Sequence, residues 1–256
     1  MQDIRTEIDR NTYIPLYIQV MDSLREYIES GDAVPDEQLP GEPELCRMFD
    51  VSRTVIRQAL LSLTQEGLIV RRKGRGTFVA EPKISENLAQ QLTGFYEDMV
   101  NQGYTPVSQV LKQQCIPASA KVAGYLEIPR GTEVIEIERL RFVQDEPLVL
   151  VTTYLPQHLC PNLLNMDLTH QSLYALLHEH CNLTITRGRR ILQAVQANEY
   201  EASLLKVKKS FPLIMLDSVS YLNTGTPIEY YHALHRSDRL RFEVDLFHAL
   251  RQDQNA

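Results

Sequence analysis

Residues 40–69, PGEPELCRMFDVSRTVIRQALLSLTQEGLI, hold two helical patterns separated by a tight turn. The first runs from Glu42 to Phe49 behind a cap at Gly41 or a neighbour, with Leu45, Met48 and Phe49 facing inward. Asp50-Val51 makes the turn. Ser52 then supplies a hydroxyl that can accept a free N–H at the start of a second helix, which runs to about Glu66 and stops at Gly67. At about 100° per residue, Ile56, Ala59, Leu60 and Leu63 converge on one arc, and Arg53, Thr54, Arg57 and Gln58 occupy the arc facing away. Arginine can pair bidentately with guanine and glutamine with adenine, while threonine can reach a phosphate or a thymine methyl. Two readings fit: a helix-turn-helix, or an αα-hairpin with a solvated polar face.

The flanks favour the first. Downstream, Leu68–Arg72 and Thr77–Ala80 are β-like runs around Lys73-Gly74-Arg75-Gly76, a hairpin with a basic, flexible tip. Glycine lets a backbone approach a groove closely, and Arg75 can enter a narrow, negative minor groove. Thr77 opens the returning strand. Upstream, Tyr13–Ser30 reads as a helix with Pro15 in its first turn, a stripe of Tyr17, Met21, Leu24 and Ile28, and Gly31 just past its end. A turn-rich passage, DAVPDEQLPG, links it to the core motif.

Charge is distributed to match. The 256-residue chain has a net charge of −7, yet residues 45–80 carry seven basic and two acidic side chains. A positive segment on an acidic body focuses attraction on phosphates without indiscriminate adhesion. Hydrophobic content of 43% is that of an ordinary globular protein. No run approaches the ~18 apolar residues of a membrane span, and the polar first residues are unlike a secretory signal. Cys46, Cys115, Cys160 and Cys181 are scattered without a close pair and read as buried thiols of a reducing cytoplasm.

From these residues the chain resembles the GntR regulators. The match is carried by LPGEPELCRMFDVSRTVIRQALLSLTQEGLIVRRKGRGTFV (39–79), with its Ser-Arg-x-Thr/Val-x-Arg-Gln-Ala-Leu opening of a recognition helix and its Gly-x-Gly-Thr-Phe-Val wing. The resemblance implies a winged helix-turn-helix over 11–80. It places base or phosphate contacts on Arg53 and Arg57, another contact on Thr54, and the minor-groove position on Gly76. Gly41 and Pro43 depart from the family's Pro-Ser-Glu-Arg, and Pro43 replaces an arginine that often touches DNA.

Glu81–Gln91 is polar, lacks an apolar period and reads as a linker. Beyond it lies an internal repeat. VAGYLEIPRGTEVIEIERLRFVQDEPLVLVTTYL (122–155) overlays EASLLKVKKSFPLIMLDSVSYLNTGTPIEYYHAL (201–234), each copy reading as helix, strand, short turn and returning strand. Two such halves predict a pseudo-symmetric antiparallel sheet with flanking helices, and hence an α+β fold. Between them DLTHQSLYALLHEHCNL offers a further helix through Leu173, Leu176 and Leu177. This half resembles the UTRA effector domain of the family's HutC branch, which shares the chorismate lyase fold. FYEDMVNQGYTPVSQVL (95–111), RGTEVIEIERLRF (130–142), YLP (154–156), DLTHQSLYALL (167–177) and GTPIEYYHALHRSDRLRF (225–242) carry the match, and the implied domain spans 92–250.

Arg139 and Arg141 stand two apart on an expected strand, so they share a face. They can clamp a phosphate or carboxylate bidentately, or decorate a solvated strand. The resemblance implies the former and adds Thr93, Gly94, Ser172 and Glu229 as pocket positions. Val151 and His235 depart from the Glu and Tyr usual there, which points to a small anionic metabolite with a less polar remainder. The resemblance further implies a repressor released by its ligand. Two-fold operators call for a homodimer on double-stranded DNA, paired through the sensor domains. Neither a nucleophile–base motif nor a metal-ligand spacing is present, so no enzyme, cofactor or metal is expected. The alternatives are an effector-independent DNA-binding protein and an enzyme of lyase-like fold.

Overall fold

A computed structural model describes residues 4–87 and 92–246. The end of the expected linker, 88–91, and the end of the expected sensor domain, 247–250, lie outside the described residues. The chain divides into two compact units. One comprises the residues up to Ile84 together with Arg236–Leu240, the other Ser85–His235 together with the residues from Arg241 on.

In the first unit α1 (Leu16–Glu29) begins after Pro15, which serves as the cap rather than sitting in the first turn. Its buried stripe is Val20, Leu24 and Tyr27. Met21 and Ile28, expected in that stripe, are partly buried and pack against it. Helix α2 (Glu42–Phe49) is capped by Gly41 and ends at Asp50, whose φ of 49° turns the chain. Helix α3 (Arg53–Gln65) follows, with the Ser52 hydroxyl accepting from the Val55 N–H at 3.4 Å. Ile56, Ala59, Leu60 and Leu63 are its buried residues, as its period requires. They meet Leu24, Leu45 and Phe49 in one apolar cluster. Truncating a leucine at such a site costs about 2–5 kcal/mol, so these contacts fix the angle between the two helices. Strands β1 (Ile69–Arg72) and β2 (Gly76–Val79) form the wing, in register from Ile69↔Val79 to Arg72↔Gly76. Gly74 turns the tip at φ 73°.

Within the stretch read as a linker, Ile84–Glu86 form β3, which pairs with β10 (Leu240–Phe242). The second unit adds α4 (Phe95–Asn101), β4 (Val107–Pro117), α5 (Ala120–Leu126), β5 (Glu133–Val143), β6 (Glu146–Pro156), α6 (Leu173–Cys181), β7 (Ile185–Gln196), α7 (Glu199–Leu204), β8 (Pro212–Leu222) and β9 (Pro227–Arg236). Six strands make one sheet in the order β4-β5-β6-β9-β8-β7. The repeat is visible in that order, since β4-β5-β6 mirrors β7-β8-β9 across the β6–β9 seam. It also reaches one strand further upstream in each half than the sequence overlay did. Helix α5 packs with Val134, Val219 and Tyr230 on one sheet face, and α7 with Leu140, Leu150 and Leu213 on the same face. Helix α6 covers Ile135 and Ile137 on the opposite face. The layers are therefore helix, antiparallel sheet, helix: the α+β architecture expected.

The thiols differ from expectation. Cys160 and Cys181 are joined in a disulfide with their Cα atoms 5.5 Å apart, and Cys115 is exposed. The end of α6 and the short 3-10 turn Pro161–Asn165 share one apolar cluster, and that packing brings together cysteines 21 residues apart.

Candidate nucleic-acid interface and effector pocket

The amphipathic period of α3 buries one side in the first unit's core and leaves Arg53, Thr54, Arg57 and Gln58 exposed on the other. Ser52 is held at the helix start by its cap. On the wing, Arg75 is exposed, with its guanidinium 5.9 Å from the centre of the Phe78 ring, and Arg72 stacks on that ring at 4.6 Å. The Arg75 carbonyl accepts from the Gln38 side chain at 3.0 Å, bracing the tip. Gly76 has φ 123°, and a Cβ there would meet Gln38 Nε2 at 2.7 Å. Thr77 follows, its carbonyl accepting from the Leu39 N–H at 2.9 Å. All eight DNA-facing candidates therefore sit on the recognition helix, its cap or the wing. Sequence reasoning missed Glu42. Its carboxylate bonds Arg57 Nε at 2.8 Å and reaches Arg71 Nη2 at 3.5 Å.

In the second unit the six effector candidates line one cavity. Arg139 and Arg141 rise from β5, buried at 2% and 7% exposure rather than solvated. Glu229 comes from β9, Thr93 and Gly94 from the chain entering α4, and Ser172 from the cap of α6. The structure adds residues that sequence reasoning did not single out: Ser108, Tyr174, Arg190, Ser218 and Tyr231. Val151 is buried opposite Arg139 in the sheet register and is not among the lining residues. His235, also buried, faces Glu86 at 3.1 Å instead.

The electrostatics of the cavity are one-sided. Arg141 stacks on the Phe95 ring at 5.0 Å. Burial, and then the neighbouring Arg141, push the Arg139 guanidinium down, to about 9. Burial raises the Tyr231 phenol to about 12, against the pull of Arg141. Glu229 is engaged already: its Oε2 accepts from Tyr174 at 2.7 Å and from Ser220 at 2.8 Å. Burial and the Glu229 charge together hold the Tyr174 phenol well above its ordinary value. Thr93 Oγ1, Arg139 Nε and Nη2, Arg141 Nη1, Ser218 Oγ and Tyr231 OH are all buried without a hydrogen-bond partner among the described residues. Buried polar atoms of native proteins are almost always paired. Six that converge on one cavity make a ready-made set of ligand contacts.

A helix-turn-helix with a basic wing, joined to a sheet domain with a pocket lined by buried arginines, defines a DNA-binding regulator with a sensor module. Residues 16–79 match the GntR family of bacterial regulatory proteins, and residues 101–241 match the UTRA domain. The chain is 34% identical over 235 residues to the HTH-type transcriptional repressor NagR of Bacillus subtilis, covering 92% of this chain and 96% of NagR. It is 30% identical to the mannosyl-D-glycerate transport/metabolism system repressor MngR of Escherichia coli, covering 90% and 95%. The crystal structure of PhnF from Mycobacterium smegmatis superimposes with a TM-score of 0.64 at 28% identity, over 90% of this chain and all of that one. The chain belongs to the GntR family and carries a UTRA domain: it is a transcription regulator, not an enzyme. Among the described residues no cluster of three or more His, Cys, Asp or Glu side chains could hold a metal ion, and no helix is long and apolar enough to cross a membrane.

Proposed function

We propose that this regulator represses transcription from a two-fold operator and that a small anionic metabolite, bound in the UTRA pocket, releases it. The observation that supports the anion is the convergence of unpaired donors from Arg139 and Arg141 on a cavity where Glu229 is the one carboxylate among the lining residues. The anionic group sits against the two guanidiniums, Thr93 and the chain at Gly94, with the buried Ser172 also lining the pocket. The remainder lies against Phe95, Leu173 and Leu216, and Glu229 receives a ligand hydroxyl or amine. On the DNA side Arg53 and Arg57 take bases or phosphates, supported by Ser52, Thr54, Gln58, Arg75, Gly76 and Thr77. The functional divisions are 11–80 for DNA binding, 81–91 as connector and 92–250 for sensing. The working form is a cytoplasmic homodimer paired through the sensor domains, because one reading head covers only a half-site. NagR and MngR, both repressors by name, support the sense of regulation.

A ligand shifts a regulator only by its difference in affinity for the two states. The test is therefore titration of the purified protein with candidate phosphorylated or carboxylated metabolites, followed by operator binding with and without the ligand. Heat of binding that persists in the Arg139→Ala, Arg141→Ala double variant would reject the anion clamp.

A further inference from the structure

We infer that Glu42 is a positioning residue for operator recognition: its carboxylate orients the Arg57 guanidinium and withholds part of the domain's positive charge from non-specific DNA. The inference rests on the reading of Arg57 as a DNA contact, and the experiment below separates the two.

Glu42 is the first residue of α2, Arg57 lies on the exposed front of α3, and Arg71 lies on the first wing strand. One carboxylate thus spans the helix before the turn, the recognition helix and the wing. It does so with an asymmetric grip. Oε2 takes Arg57 at Nε, 2.8 Å away, while Oε1 reaches Arg71 at Nη2, 3.5 Å away. A guanidinium presents donors on two edges, and the outer pair, Nη1 and Nη2, is the one that meets guanine O6 and N7 end-on. Holding Nε occupies the inner edge and leaves the outer pair available to a base. The side chain of Arg57 is 67% exposed, so without that grip it would sample many rotamers and give up entropy on meeting a base.

The location of the charge matters as much as its geometry. Glu42 is an acid paired with Arg57 and Arg71 in a domain whose Arg53, Arg57, Arg71, Lys73 and Arg75 are all exposed. Phosphate attraction makes no distinction between sequences, whereas base contacts do. A carboxylate there subtracts from the first and supports the second. In that sense it trades affinity for discrimination.

The test uses the full-length protein with an operator duplex and a random duplex of equal length, measured across a salt series. Glu42→Gln removes the charge and weakens the grip. It should raise affinity for the random duplex about two- to fivefold, the size of one exposed charge interaction. It should also steepen the salt slope by up to about one unit and lower the operator-to-random ratio at least about fivefold. Glu42→Asp keeps the charge but shortens the reach to Nε, so it should lower operator affinity and leave random-duplex affinity unchanged. An operator-to-random ratio within twofold of wild type in Glu42→Gln overturns the inference. So does equal weakening on both duplexes with an unchanged slope, which would mark Glu42 as a tie between helices and nothing more. Arg57→Ala is measured alongside. If it leaves DNA binding untouched, the reading of Arg57 itself fails; if it weakens binding while Glu42→Gln changes nothing, only the positioning role fails.

Discussion

Tyr174, in the first turn of α6, donates its phenol to the Glu229 carboxylate at 2.7 Å and so ties the helix over the pocket to the strand beneath it. Ser220 donates to the same Oε2 from β8 at 2.8 Å. Glu229 is 1% exposed, and these hydroxyls replace the water it gave up. Tyr174→Phe removes one charge-assisted bond to a buried carboxylate and should destabilise the protein by about 1.5–3 kcal/mol in urea unfolding. Ser220→Ala added to it should cost more than it costs alone, since each hydroxyl partly covers for loss of the other. Additive, sub-kilocalorie effects would show that Glu229 draws its stabilisation from elsewhere.

The cationic side of the pocket makes the opposite prediction. Arg139 is buried, Arg141 repels it, and its guanidinium is pushed down to about 9. For a base, a depressed value in the folded state is a stability cost. That cost is fully present throughout the neutral range and eases only as pH climbs through about 9. Replacing a poorly compensated buried charge with an apolar side chain of similar length is often stabilising, by about 1–4 kcal/mol. Arg139→Met should therefore raise the melting temperature of the ligand-free protein at pH 7. Inorganic phosphate or sulfate should raise the melting temperature of wild type, and Arg139→Met should abolish that rise. A ligand-free variant that melts lower, while still protected by anions, would contradict the assignment.

How far the sequence revealed this molecule depended on how local each signal was. The recognition helix was legible because Ile56, Ala59, Leu60 and Leu63 recur at the helical period while Arg53, Thr54, Arg57 and Gln58 fall opposite them. The repeat was legible over its buried strands. It was invisible in β4 and β7, the sheet edges, where side chains alternate poorly; β7 is exposed along most of its length. Arg190 was missed for that reason: on an apparently solvated strand an arginine carries no sign that it turns into a pocket. Tyr231 hid differently, inside β9, a strand buried on both faces whose near-continuous burial erases the alternation that would assign sides. The arginine pair of β5 could be placed on one face from spacing alone, but spacing did not show that both faces of the strand are covered. Cys160 and Cys181 meet through tertiary packing of α6, which leaves no mark on their spacing.

On the DNA-binding side, Arg53 opens α3 directly after the Ser52 cap, where a recognition helix points its first residues at base edges. Arg53→Ala should lower discrimination between operator and random duplex by about 1–3 kcal/mol. Lys73, at the exposed wing tip, offers only a point charge. Lys73→Ala should weaken both duplexes alike and reduce the salt slope by about one unit. Fluorescence anisotropy over a salt series reads both quantities. The pattern reversed, with sequence preference lost from Lys73 and kept without Arg53, would move the reading surface from the helix to the wing.

The disulfide yields the last prediction, because it closes a loop that contains the pocket-lining start of α6. Cys160 and Cys181 enclose 21 residues of separation, and a loop of that size is worth about 3 kcal/mol in restricted unfolded-chain entropy. Alkylation of the denatured, unreduced protein should label Cys46 and Cys115 alone, and prior reduction should expose all four thiols. Cys181→Ser should then lose about 3 kcal/mol of stability. It should also reduce the protection expected from phosphate or sulfate, since α6 presents Ser172 and Tyr174 to the pocket from its other end. If stability falls while anion protection stays at its wild-type value, the bond fastens only the far end of α6, and the pocket's geometry is set by the Tyr174–Glu229 tie and the sheet.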